Sequence, residues 1–185
     1  MTSSHGQNFM ELSAFVKYST DVENKFERNQ IKSNQYGVSI KMTNVVCISY
    51  NKSWVVVNHC RLKAVQRNKT IFNADLEIIH PANEIDMRVQ VQKKANGYKP
   101  WLFDITIDGC KYLRKPNNPA IKIIYGIFKE FSTINHTCPY VGHQGVAGFY
   151  PTIDKFPNPL PSGDYFLILT FILSKQRIKA TDPIY

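Results

Sequence analysis

Between Gly97 and Gly142 the hydrophobic pattern changes from that of a strand to that of a helix, and two cysteines, Cys110 and Cys138, bracket the helical part. Trp101, Phe103, Ile105 and Ile107 alternate with Leu102, Asp104, Thr106 and Asp108. Apart from Leu102 this is the signature of a half-buried strand. Asn118-Pro119 then reads as a helix start, an N-cap oxygen followed by a residue whose missing N–H costs nothing at the first helical position. Ile121, Ile124, Tyr125, Phe128 and Phe131 recur at helical spacing, with Lys122, Lys129 and Glu130 mostly between them. Such a helix has one apolar face and needs a sheet to cover.

The remainder of the chain supplies strands. Val38, Ile40 and Met42 hold one phase, and Val46 and Ile48 resume it after Asn44-Val45, where a bulge would fit. Trp54 to Val57 with Cys60, Leu62 and Ala64 form a second strand. Phe72, Ala74, Leu76 and Ile78 form a third, and Ile85, Met87, Val89 and Val91 a fourth. His80-Pro81-Ala82-Asn83 reads as a loop, and Asn96-Gly97 as a turn in a connection longer than a two-residue hairpin. Gly142, Gly145, Gly148 and the proline-rich stretch from Phe156 to Gly163 read as loops. Tyr165 to Leu173 is apolar but for Thr170, as in a strand covered on both sides. Its length is about half of what a membrane span requires. Residues 1–33 are polar and aperiodic, and are expected to be a poorly ordered segment ahead of a single domain over residues 34–185. About seven strands and one helix between Cys110 and Cys138 indicate a mainly β fold, a two-sheet β-sandwich.

The formal charge is +9. Arg61, Lys63 and Arg67 lie on the polar phase of a strand, while Lys93, Lys94 and Lys99 flank a turn. That distribution reads as solvated sheet surface rather than a nucleic-acid site. Four cysteines without CxxC spacing suit two disulfides better than a metal site. They permit three connectivities. Cys110–Cys138 is the pairing we favour, because it pins the helix at both ends. Cys47–Cys60 remains by elimination, closing the first hairpin if a bulge shifts its register. Asn51, Asn68 and Asn135 each head a glycosylation sequon at a turn or loop, which with paired cysteines argues for the secretory pathway. Against this, MTSSHGQNFMELSAFVKYST lacks the apolar core of a signal peptide, so either the N-terminus is incomplete or alternative, the reading we favour, or the product stays in the cytosol with reduced cysteines.

No GxSxG, HExxH or phosphate-binding glycine loop occurs. His59, His80, His136 and His143 share no ligand-like spacing, and Asp104 and Asp108 are too far apart along one strand to share a proton. We therefore expect no catalytic residues, no metal, no cofactor and no enzyme activity. Phe103, Ile105, Ile107, Leu167, Leu169 and Phe171 on strands, with Ile121, Ile124, Tyr125 and Phe128 on the helix, are the candidate wall of a hydrophobic ligand site. Their alternative is plain core packing. A cavity of roughly several hundred Å³ would separate the two readings.

Taken together, CISYNKSWVVVNHCRLKAVQRNKT, LEIIHPANEIDMRVQVQKKANGYKPWLFDITIDGCKYLRK, NNPAIKIIYGIFKEFSTINHTCPYVG and PLPSGDYFLILTF closely resemble the insect family called domain of unknown function 1091, over roughly residues 38–175. That family is similar in turn to the MD-2-related lipid-recognition (ML) proteins, which are secreted, disulfide-bonded, immunoglobulin-like sandwiches. The Cys138-Pro139 pair, the following glycine, the proline-rich stretch and the long apolar strand carry this second likeness. It implies an extracellular protein that carries or presents a lipid or pheromone-like ligand, with a chemosensory role in some relatives, and a membrane receptor or other extracellular protein as partner. The alternative is a secreted protein-interaction module with a filled core. Family members start with a signal peptide and continue into a final apolar strand. Here the chain stops at Tyr185, and a missing edge strand is expected to weaken the sandwich and could open the cavity.

Overall fold

The computed structural model describes residues 8–27, 30–66, 69–152 and 161–174, and within them only the backbone of Phe103 and of most residues before Ile40. Among the described residues, eight strands form two antiparallel sheets: β1 (Asn8–Glu27), β2 (Gln30–Ser49), β3 (Val55–Gln66), β4 (Lys69–Ala82), β5 (Glu84–Ala95), β6 (Gly97–Asp108), β7 (Tyr140–Phe149) and β8 (Gly163–Ser174). The larger sheet runs β2-β1-β8-β5-β6 and the smaller β3-β4-β7. Two helices, α1 (Gly109–Arg114) and α2 (Pro119–Phe128), lie between β6 and β7. The protein is a mainly β two-sheet sandwich.

Its core has two parts. Met10 on β1 and Leu173 on β8 face Val55, Ile78, Ala82 and Tyr140 of the smaller sheet. Beside them, Met87, Val89 and Leu169 of the larger sheet face Tyr112 of α1 and Ile121 of α2. One half of the larger sheet is thus covered by strands and the other by helices. The alternation read for β4 and β5 explains this, since Phe72, Ile78, Met87 and Val89 are all buried. Every residue of β8 is buried or half-buried, as its continuous apolar run requires.

Helix α2 starts where its sequence directs: the Asn118 side-chain oxygen accepts from Ile121 N–H at 3.2 Å, and Pro119 occupies the first turn. The shorter α1 was not anticipated. Asp108 is its N-cap and accepts from Lys111 N–H at 2.8 Å. Asp104 is paired too. Arg88 donates to both of its oxygens at 2.7 and 2.6 Å, and this holds the Asp104 carboxyl below its usual range.

Several expectations are corrected. Asn8–Glu27, taken from its polar composition to be poorly ordered, forms β1, inserted between β2 and β8. Backbone pairing with both neighbours does not need a strict apolar alternation, so composition concealed it. The bulge in β2 exists at Thr43, where Phe15 pairs with Asn44 and Val16 with Met42. The extra residue inverts the phase rather than preserving it: Met42 is buried, whereas Val46 and Ile48 are exposed. His80-Pro81-Ala82 is not a loop but the end of β4, with Pro81 in a register break, and only Asn83 separates β4 from β5 in the other sheet. The β5–β6 connection is tighter than expected, with Ala95 opposite Gly97. Gly142, Gly145 and Gly148 lie inside β7. Gly142 and Gly148 have φ of 75° and 66°, and a side chain at Gly145 would meet the Ala74 carbonyl oxygen at 3.1 Å. These glycines mark irregularity within a strand, not its absence.

Cys110 is bonded to Cys138 and Cys47 to Cys60. Because β2 and β3 belong to different sheets, Cys47–Cys60 staples the sheets together instead of closing a hairpin. Among the described residues no helix is long and apolar enough to cross a membrane.

Candidate functional site

Where the two halves of the core meet, the side chains do not fill the space. A cavity of about 80 Å³ lies between the sheets and the helices. Met10, Met87, Phe171 and Leu173 of the larger sheet form one wall, and Val55, Leu76, Ile78 and Tyr140 of the smaller sheet the opposite one. Tyr112, Ile121, Tyr125 and Phe128 close the helical side, together with Cys110 and Cys138. The disulfide that pins the helical segment is therefore also part of the wall.

The lining is apolar because its few polar groups are turned away. Tyr125 donates its hydroxyl to the Ile134 carbonyl at 2.8 Å, and Tyr140 donates its own to the His136 carbonyl. Their rings border the cavity. Gln144 borders the cavity, and its carbonyl oxygen accepts from the Thr133 hydroxyl at 2.9 Å. Thr133 accepts in turn from Gly145 N–H at 2.9 Å. Tyr112, Tyr125 and Phe128 stack edge to face, with centroids 6.0 and 5.5 Å apart. Burial raises the hydroxyl pKa of Tyr112, Tyr125 and Tyr140, so all three favour the neutral form more than a free tyrosine does. Such a surface offers no charge, no acid–base pair and no exposed nucleophile.

Of the ten residues chosen from sequence, Ile121, Tyr125, Phe128 and Phe171 border the cavity. Leu169 is buried in the adjoining core, and Ile105, Ile107, Ile124 and Leu167 pack against that same core. The Phe103 side chain lies outside the described residues. Sequence reasoning missed the opposite wall. Leu76 and Ile78 were on the inward phase of a well-read strand, so their signal was present. Met10 was lost with β1. Tyr140 was lost when β7 was taken for loop.

The remaining polar candidates are dispersed. His143 is 3.6 Å from Asp75, His80 meets the edge of Trp54, and His136 stacks on Tyr140. Among the described residues, no three His, Cys, Asp or Glu side chains come together to hold a metal ion. Asn51 lies in the β2–β3 turn, where its side-chain oxygen accepts from Ser53 N–H at 3.1 Å, and Asn135 is exposed in the segment before β7. Asn68 falls outside the described residues.

Residues 87–167 match the family described as "Protein of unknown function (DUF1091)". The match runs from β5 through both helices and β7 into β8, and supports that family. No curated protein and no solved structure matches the chain.

Proposed function

We propose that this is a secreted, non-enzymatic binding protein that holds a slender hydrophobic ligand, an acyl chain or a terpenoid, between its two sheets. The observation that carries this reading is the apolar void at the junction of strands and helices. At about 80 Å³ it is several times the roughly 10–15 Å³ that one water needs, yet its apolar wall gives water little to bond. Left empty, a void of this size costs about 2 kcal/mol of lost packing, which an apolar guest would recover. It falls short of the several hundred Å³ that would separate a ligand site from plain core packing, and of the roughly 300–1,000 Å³ of small-molecule sites in general. The guest is therefore thin, or enters with only part of its length. Two disulfides, with sequons at Asn51 and Asn135, support an extracellular setting. Carriage of a chemical signal would suit such a site.

The modest volume also favours a second reading, an extracellular interaction module whose ligand is another protein. Native mass spectrometry and organic extraction of the protein secreted behind a supplied signal peptide separate the two. A folded protein with both disulfides and a co-purifying hydrophobic molecule is the expected result. An oxidised, folded protein that carries nothing and takes up no fluorescent fatty acid refutes the carrier reading.

A further inference from the structure

The apolar run of β8 suits a strand covered on both faces, and among the described residues only one of those faces meets another layer. Leu167, Leu169, Phe171 and Leu173 meet the smaller sheet and the helices on the inner side of the larger sheet. Phe166, Ile168, Thr170 and Ile172 alternate with them and belong to its outer face. The register carries that face across the sheet. Phe9 and Glu11 of β1 stand beside Ile172 and Thr170, and Ile48 of β2 follows Glu11. Ser13 stands beside Ile168, and Val46 follows it. Val46 and Ile48 are 41% and 40% exposed. On the other flank, Arg88 and Gln90 of β5 and Asp104 and Thr106 of β6 are polar. We propose that this outer face is where a second copy of the chain docks.

Charge is sorted along the strands of the same face. At one end Lys17 and Lys41 are register partners, and Lys94 lies 3.6 Å from Asp164. At the other end Glu84 and Asp86 of β5 are opposite Ser174 and Ile172, and Asp108 of β6 is opposite Asp86. A two-fold axis between two copies, lying across the strands, sets each strand over its own counterpart running the opposite way. The apolar flank then meets the apolar flank, Ile48 near Val46 and Ile172 near Phe166. The same rotation brings the lysine end of one copy over the carboxylate end of the other. One operation satisfies both patterns, as a self-complementary surface requires. On the polar flank Arg88 already holds Asp104 within each copy, so that pair brings no uncompensated charge.

The area is sufficient. Five strands about 4.8 Å apart, each with about ten residues at about 3.3 Å, give a face of about 24 Å by about 33 Å, or about 800 Å² per copy. That is the size of a standard stable interface. The edges of the larger sheet are less suited to a second copy. Strand β6 carries Pro100 and also Leu102, whose φ of 65° interrupts the strand. Strand β2 is tied to the smaller sheet by Cys47–Cys60 and by the Thr70 hydroxyl, which donates to the Met42 carbonyl at 2.8 Å. The cavity lies on the inner side of the larger sheet, so this proposal stands or falls separately from ligand carriage.

The test is sedimentation velocity of the oxidised full chain over a concentration series. A monomer–dimer equilibrium that stops at two copies is expected. Ile48→Lys should raise the dissociation constant at least about tenfold. The protein should still melt cooperatively, because that side chain is already partly in water. Lys94→Glu sets like charges against Glu84 of the second copy and should raise the constant about fivefold, as should Glu84→Lys. The two together should recover most of the lost affinity. Glu84 and Lys94 are about 33 Å apart along β5, so such a rescue acts between copies and not within one. A chain that is monomeric at every concentration, or a dimer unmoved by Ile48→Lys, would overturn the proposal. So would failure of the double variant to recover, or open-ended growth beyond two copies.

Discussion

Tyr125 brings its ring to the cavity and donates its hydroxyl to the Ile134 carbonyl, so one residue both greases the wall and ties α2 to the segment before β7. Burial raises its pKa, and those of Tyr112 and Tyr140, above the ordinary 10.0. A raised folded-state pKa means that the stabilisation is complete below that ordinary value and is lost as pH climbs through the folded one. Alkaline titration should therefore show unfolding, by circular dichroism, coincident with a late rise of tyrosinate absorbance. Ionisation of all tyrosines together near the ordinary value, with the fold intact, would contradict the burial. Leu102 offers a second residue-scale prediction. Left-handed backbone costs an L-residue roughly 1–2 kcal/mol, and glycine's extra unfolded-state freedom gives back up to about 1 kcal/mol of that gain. Leu102→Gly should thus be neutral or stabilising by about 1 kcal/mol in denaturant titration, and Leu102→Val destabilising.

Among the elements, the helical segment is the most dependent on its covalent ties. Helix α2 is ten residues long, too short to persist without tertiary support. Its N-cap, its apolar face against Met87 and Val89, and the Cys110–Cys138 bond provide that support. Closing a span of 28 residues should contribute more than closing one of 13. Chain entropy puts these at about 3.6 and 2.9 kcal/mol. Replacing Cys110 and Cys138 by alanine should therefore cost more in chemical denaturation than replacing Cys47 and Cys60, and should speed hydrogen exchange in α2 first. Equal losses, or an α2 as protected as before, would show that the bond does not hold the wall. Elements with one clean period were legible from sequence: β5 and α2 lie where their patterns put them, and so does β4 apart from its end at His80-Pro81-Ala82. Elements with mixed signals were not. Backbone pairing on both sides decides β1, which its polar sequence does not advertise. Glycines with positive φ disguise β7 as loop, and a single extra residue at Thr43 inverts the later half of β2.

Over the whole molecule, the unfilled space arises from a mismatch of partners. The five-stranded sheet is wider than the three-stranded sheet facing it, and two short helices must cover the difference. Strands and helices pack at different depths, and the seam between them is where the void opens. This is why the site was only half visible in the sequence. Apolar periodicity marks a residue as inward, and Ile121, Phe171, Ile105 and Leu169 are alike in that respect. Whether an inward residue borders a filled core or a void depends on which layer meets it from the other side. The most direct test of the account is titration of the oxidised protein with a fluorescent fatty acid, alongside Leu76→Phe, which puts a larger side chain into the void. The original protein should take up about one equivalent and melt higher when loaded, as linkage requires. Leu76→Phe should take up none while remaining at least as stable when empty. Uptake unchanged by the larger side chain, or no uptake by either protein, would contradict the assignment of the void as the binding site.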